Sequence, residues 1–168
     1  MKTLLLINGP MGVGKTAVCR ALLERLTPSV YLDGDWCWNI NPFQVTNETK
    51  SMALDNITAM LSRFLASPEL NYVIFGWVMH RFEIAKSILD CLKLNTVKVF
   101  HYTLLCSEQT LCQRINGDIQ AGLRHGDALE RSLSYLPLYN EQNTIKIMTD
   151  RLSPQQVAEI IARQVKEK

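Results

Sequence analysis

Gly9-Pro10-Met11-Gly12-Val13-Gly14-Lys15-Thr16 fits the pattern GxxxxGK[ST] at every fixed position. The stretch before it, Lys2-Thr3-Leu4-Leu5-Leu6-Ile7, is short and apolar and reads as a buried strand. The stretch after it, residues 17–26, carries Val18, Leu22, Leu23 and Leu26 at helical spacing. Strand, glycine loop and helix therefore follow in the order that a phosphate cradle requires. The glycines let successive backbone N–H groups turn inward, and the N-terminus of the following helix adds partial positive charge, so that main chain can hold a triphosphate. Gly9, Met11, Gly12, Val13, Gly14, Lys15, Thr16 and Ala17 are expected to line it. The Lys15 ammonium can reach the β- and γ-phosphates, and the Thr16 hydroxyl can take one position on a hydrated Mg²⁺ ion.

The chain has 168 residues, 47% of them hydrophobic, which suits one domain (1–168) around one core. Lys and Arg number 18 against 16 Asp and Glu, a formal charge of +2 with no long basic run, so a polynucleotide partner is not expected. No apolar run approaches the roughly 20 residues that span a bilayer, and the first apolar stretch is short for a signal sequence; no membrane association and a cytoplasmic location are expected. The five cysteines show no CxxC pair and read as reduced core thiols. Cys37 is the one to test for reactivity, because it follows the candidate acids.

Further along, residues 29–32 (Ser-Val-Tyr-Leu) make a second strand ending at Asp33-Gly34-Asp35, and residues 36–45 look irregular or weakly helical. A long helix follows, capped by Thr46 or Asn47, with Met52, Ile57, Met60, Leu61, Phe64 and Leu65 as its apolar face and Ser67-Pro68 as its end. Residues 71–79 are almost wholly apolar, as a central parallel strand should be. The remainder reads as a helix over 81–94, a strand over 96–105, and a helix from Ser107 through Ile115. Then come a Gly/Asp/Arg-rich stretch over 116–126, a helix over 127–136 stopped by Pro137, a strand over 143–148 and a terminal helix opened by Ser153-Pro154. Alternating strands and helices imply right-handed crossovers and a three-layer α/β domain whose ligands collect at the carboxyl ends of the strands.

The third strand ends Trp77-Val78-Met79-His80 without the aspartate that often holds magnesium in phosphate-loop enzymes. Leu32-Asp33-Gly34-Asp35 offers two acids instead. Asp33 is expected to hold Mg²⁺ through water, and Asp35 to accept the proton of an attacking hydroxyl and aim it at the γ-phosphate. The plainer alternative is a solvated strand-end turn.

On these residues the chain resembles the small-molecule branch of the nucleoside-monophosphate-kinase-like phosphate-loop fold, which contains gluconate, shikimate and adenylylsulfate kinases and chloramphenicol phosphotransferase. Tyr31-Leu32-Asp33-Gly34-Asp35 is similar to the acidic motif of gluconate and adenylylsulfate kinases, which matches Asp35 to the hydroxyl-binding acid and Asp33 to a magnesium-side acid. Ile7-Asn8-Gly9 through Thr16, His101-Tyr102-Thr103-Leu104 and Ser107-Glu108-Gln109-Thr110-Leu111 also resemble the tunicamycin-resistance ATP-binding proteins. Chloramphenicol phosphotransferase lacks the first acid, and gluconate kinases continue differently from Trp36-Cys37-Trp38-Asn39. The resemblance implies a P-loop NTPase fold with a five-stranded parallel sheet in the order 2-3-1-4-5 and a small helical lid at about 116–137. It also implies ATP and Mg²⁺ as cofactors and phosphoryl transfer to a small-molecule hydroxyl acceptor by a monomer or homodimer. The alternative function is an ATP-binding or hydrolysing resistance or switch protein that sequesters a ligand without phosphorylating it.

The same resemblance makes Arg114 the arginine that stacks on adenine, and Arg124 or Arg131 the lid arginine that neutralises the transferred phosphoryl group. All three could equally be surface residues paired with Asp118, Asp127 or Glu130. Trp36, Trp38 and Phe43 suit either the wall of an acceptor pocket or a plug beneath the long helix, Trp36 being the candidate for substrate contact because it adjoins Asp35. His80 and Arg81 stand where an acceptor could be gripped or a helix capped. His101 and His125 read as structural or solvated. Thr149, Asp150 and Arg151 are candidates for the base-binding loop by position alone.

Overall fold

The computed structural model describes residues 1–123 and 127–167. Strand β1 (Lys2–Asn8) is fully covered from Leu4 onward, and its alternation divides the interior. Leu4 and Leu6 enter one apolar cluster, and Leu5 and Ile7 enter another on the opposite face. Every side chain of a strand covered on both faces can be apolar, which is why this run does not alternate with polar residues. Each such Leu or Ile contributes about 1.5–3 kcal/mol by leaving water.

Helix α1 (Lys15–Arg25) returns the chain to β2 (Ser29–Asp33), which continues directly into a 3₁₀ turn (Gly34–Trp38). Then come α2 (Asn47–Ala66), β3 (Tyr72–Gly76), α3 (Phe82–Asp90), β4 (Val97–Leu105), α4 (Glu108–Gln120), α5 (Ala128–Glu141), β5 (Ile145–Met148) and α6 (Pro154–Glu167). All pairings are parallel and the sheet order is β2-β3-β1-β4-β5, as expected. Buried residues of α1, α4 and α6 fill one cluster; those of α2 and α3 fill the other. The carboxyl ends of β1, β2 and β3 thus bring the phosphate loop, the acids and Trp77 to one rim.

Several boundaries differ from the sequence reading. The third strand ends at Gly76, and the Trp77 N–H makes its last bond to β1, on the Ile7 carbonyl. Helix α4 runs five residues past Ile115, through Asn116, Gly117 and Asp118, because Ile119 packs on the core. It stops in a Schellman turn, with Gly122 at φ 70 and the N–H groups of Gly122 and Leu123 on the carbonyls of Ile119 and Asp118. Helix α5 continues through Pro137 to Glu141; the fully buried Tyr139 anchors the turn that the proline was expected to end. Met52 and Met60, expected in the core, are exposed; Ala53, Ile57, Leu61 and Leu65 form the buried stripe of α2. Thr46 caps that helix in a reciprocal bond with Thr49. Cys19, Cys37 and Cys106 are buried as expected, but Cys91 lies exposed after α3.

Candidate active site

The phosphate loop is held open by sterics. Gly9 (φ 142) lies so close to β4 that a Cβ would sit 2.5 Å from the Leu104 carbonyl oxygen, and one on Gly12 (φ 83) would sit 2.5 Å from Cγ1 of Ile115. At Gly14 (φ 105), the residue before α1, nothing lies within 4 Å of that position. The packed side of the loop leans on β4 and α4, and the open side faces the cleft. Lys15 folds back over the loop, its Nζ donating to the carbonyls of Gly9 (2.8 Å) and Pro10 (2.9 Å). An ammonium at the mouth of the cradle suits a phosphate there.

Asp33 and Asp35 meet different partners. The Thr16 hydroxyl donates to Asp33 Oδ2 at 3.3 Å, the Tyr31 hydroxyl donates to the same oxygen at 2.7 Å, and the Asp35 N–H donates to Asp33 Oδ1 at 3.1 Å. Burial above all pushes the Tyr31 phenol up, so it remains a donor to Asp33. Asp35 points across the 3₁₀ turn, where the indole Nε1 of Trp77 donates to its Oδ1 at 3.0 Å. Gly34 makes this contact possible: a Cβ there would lie 2.3 Å from Cγ of Trp77. Gly34 is therefore required by the overlying indole, and no positive φ is involved. The hydroxyl–carboxylate pair Thr16–Asp33 is a hard-oxygen set of the kind Mg²⁺ uses together with water and phosphate oxygens. Among the described residues no group of three His, Cys, Asp or Glu could cage a metal.

Arg114 joins three segments. Its guanidinium donates to the Val13 carbonyl (3.0 Å) and to the Thr149 hydroxyl (3.0 Å) and carbonyl (2.9 Å). Beside it a cavity of about 170 Å³ opens between Gly14, Val18, Leu152 and Val157. Asp150 faces away, accepting from the Ser107 side chain and N–H and from Thr110; these bonds, the Ser107 hydroxyl foremost, hold its carboxyl down at about 2. Its role here is to lock the start of α4 to the loop after β5. Arg151 is exposed.

Arg131 is exposed and pairs with Asp127 at 3.3 Å. Arg124 and His125 lie outside the described residues. The His80 ring stacks flat on Tyr135 of α5, with centroids 4.1 Å apart and planes 4° apart. Burial first, and then the adjacent Arg81, lowers its pKa. Arg81 precedes α3, exposed, and its side chain makes no capping bond. Trp36 is exposed and packs against Tyr31 at 5.4 Å; Trp38 contacts Phe43 and Trp77 at 5.6 and 6.4 Å. The Cys37 thiol is pushed up by burial and by the Asp33 charge, the environment of an unreactive cysteine.

Sequence reasoning passed over four contributors. Trp77 orients Asp35. Asn8, fully buried, accepts from the N–H groups of Gly9 and Met79 and donates to the Met79 carbonyl and to Gln142 Oε1, so the loop, the β3 exit and the end of α5 share one satisfied network. Gln142 completes it by donating to the Met79 carbonyl at 2.9 Å. Ser132 ties α5 to the phosphate loop through the Met11 carbonyl at 3.1 Å. An Asn closing an apolar strand was the single available signal for that network; the partners of Trp77, Gln142 and Ser132 come from distant segments.

A five-stranded 2-3-1-4-5 sheet with GxxxxGK[ST] between β1 and α1 is a P-loop NTPase domain. The chain belongs to the AAA-domain family, whose profile matches residues 5–125. Among solved structures it is similar to the tunicamycin resistance protein of Deinococcus radiodurans, at 24% identity over 98% of this chain and 96% of that one, with a TM-score of 0.72. It is also similar to shikimate kinase from Acinetobacter baumannii in complex with shikimate (20% identity, 99% and 94% covered, TM-score 0.63). A gluconokinase from Sinorhizobium meliloti 1021 is a third such structure (16% identity, 97% and 95% covered, TM-score 0.64). At these identities the likeness is one of fold, and the group is the one the sequence resembles. No curated protein matches the chain in sequence.

Proposed function

We propose that the protein transfers the γ-phosphoryl group of ATP to a hydroxyl of a small molecule. The observation that supports this reading is that two carboxylates with different partners stand at the rim of one phosphate loop. Asp33 bonds the Thr16 hydroxyl, while Asp35 is held through one oxygen by Trp77, and its other oxygen has no partner among the described residues. Magnesium, when bound, would neutralise phosphate charge at Thr16 and Asp33. The phosphate loop holds the nucleotide by its main chain and Lys15, with the base in the cavity beside Arg114 and Thr149. The free oxygen of Asp35 accepts the proton of the acceptor hydroxyl as its oxygen bonds the γ-phosphorus; the bond to the β–γ bridging oxygen breaks and ADP leaves with that electron pair. Arg124 or Arg131 supplies the lid charge, Arg131 by leaving Asp127. Trp36, His80 and Arg81 stand around the acceptor. Two of the similar structures are a gluconokinase and a shikimate kinase, which accords with this chemistry.

The test is acceptor-dependent ADP release from Mg·ATP across sugars, nucleosides and hydroxylated antibiotics, wild type beside Asp35→Asn. A stimulated rate that drops about 10²-fold or more in the variant is expected for loss of a general base. Slow release indifferent to every compound and to Asp35 would instead indicate a hydrolysing switch or a sequestering protein.

A further inference from the structure

The proposed reaction gives Tyr31 no task, yet this residue makes the shortest bond to Asp33. Strand alternation brings it there. Tyr31 and Asp33 share the face of β2 that packs on α1, while Leu32 turns into the other cluster. On α1, Thr16 and Cys19 are three apart and lie on one side of the helix. Gly76 of β3 pairs with Asp33 and leaves the space that the phenol fills. A Cβ there would lie 3.4 Å from Cε2 of Tyr31, 3.5 Å from its hydroxyl oxygen and 2.9 Å from the Cys19 sulfur. The ring is buried, and its hydroxyl ends on Asp33.

The lone pairs of Asp33 show what the phenol does. A carboxylate carries about two on each oxygen. On Oδ2, one takes the Tyr31 hydroxyl at 2.7 Å and the other the Thr16 hydroxyl at 3.3 Å; on Oδ1, one takes the Asp35 N–H at 3.1 Å. Among the described residues nothing else occupies Oδ1, so it keeps a lone pair for a metal-bound water. The Tyr31 bond has the length of a hydroxyl on an ionised acceptor and comes from a buried ring. The Thr16 bond is long and comes from an exposed side chain. The phenol is therefore the anchor of the carboxylate. Thr16, whose single proton goes to Asp33, keeps its own lone pairs for a cation.

We infer that Tyr31 is a positioning residue for magnesium, its hydroxyl fixing Asp33 so that Asp33 and Thr16 meet the metal already oriented. The inference rests on the metal placement in the proposed function and on no acceptor. Its test reads binding and not turnover. A fluorescent ATP analogue is titrated into the full-length protein in Mg²⁺ and in EDTA, for wild type, Tyr31→Phe, Asp33→Asn and the double variant. Wild type is expected to bind more tightly with the metal. Tyr31→Phe should keep its metal-free affinity within about twofold of wild type while its affinity in Mg²⁺ falls about tenfold, the scale of a partner lost behind a metal ligand. Added to Asp33→Asn, Tyr31→Phe should change nothing further, because its effect passes through that carboxylate. If Asp33→Asn abolishes the metal effect and Tyr31→Phe leaves it whole, the inference is overturned and the metal placement stands. A metal effect that is missing from wild type, or indifferent to Asp33→Asn, would overturn both. Equal weakening of Tyr31→Phe with and without metal would reduce Tyr31 to support of the fold and overturn the inference alone.

Discussion

The two halves of the cleft are built by different means. On the nucleotide side, main chain does most of the holding: glycines are wedged against β4 and α4, and Lys15 folds over its own loop. On the side proposed for the acceptor, side chains from separate segments hold one another: Trp77 holds Asp35, and Tyr135 stacks on His80. A main-chain site tolerates almost no change at its glycines and little variation in what it binds. A side-chain site can be re-aimed by one substitution, which is how one fold serves many acceptors. Asp33 joins the halves, touching both Thr16 and the Asp35 backbone.

The largest effect that would sharpen this contrast is at Lys15. Lys15→Ala should lower acceptor-dependent turnover about 10³-fold or more and weaken nucleotide binding, as titration of a fluorescent ATP analogue would register. Turnover near wild type would break the assignment of the loop. Next is Trp77→Phe, which keeps a ring over Gly34 but removes the N–H to Asp35. A fall in kcat of about tenfold with nucleotide KM unchanged is expected for loss of one bond to a charged group; an equal loss on the nucleotide side would contradict the division. Gly12→Ala should act through stability. With φ 83 and a Cβ 2.5 Å from Ile115, it should lower Tm by roughly 3–10 °C in a calorimetric scan.

A further effect lies away from both halves. His101 in β4 is pushed down to about 4 by burial, so the folded protein keeps it neutral while the unfolded chain protonates near 6.5. Its contribution to stability is whole above pH 6.5 and is lost as pH falls toward 4, by up to about 3 kcal/mol. Urea midpoints at pH 7 and pH 5 should differ less in His101→Gln than in wild type; an unchanged difference would place the pH sensitivity elsewhere, His80 being next.

What was legible in the sequence follows the same division. The phosphate loop, β1 and α1 were readable because backbone torsion and close packing restrict each position to a few residue types, and the alternation of strands and helices carried the sheet order through the family resemblance. Asp33 and Asp35 were readable as a pair because both lie in one short stretch. The partner of Asp35 was not: Trp77 stands 42 residues away, just as Ser132 stands 121 from the Met11 carbonyl it bonds. The reason for Gly34, the Trp77 indole above it, follows the end of β3 and is far away in sequence. Met52 and Met60 misled because an apolar helix face was taken as core, when the buried stripe is Ala53, Ile57, Leu61 and Leu65. Helix ends at Gln120 and Glu141 were lost for a related reason: burial of Ile119 and Tyr139 outweighs the local preferences of Gly117 and Pro137.

The most direct test of a cleft divided in this way is to measure, on one preparation of Asp35→Asn, both Mg·ATP affinity by calorimetric titration and acceptor-dependent turnover. The division predicts affinity within about threefold of wild type beside turnover down about 10²-fold or more. Affinity and turnover falling together would mean that Asp35 belongs to the nucleotide site, and the separation of the two carboxylates would be wrong.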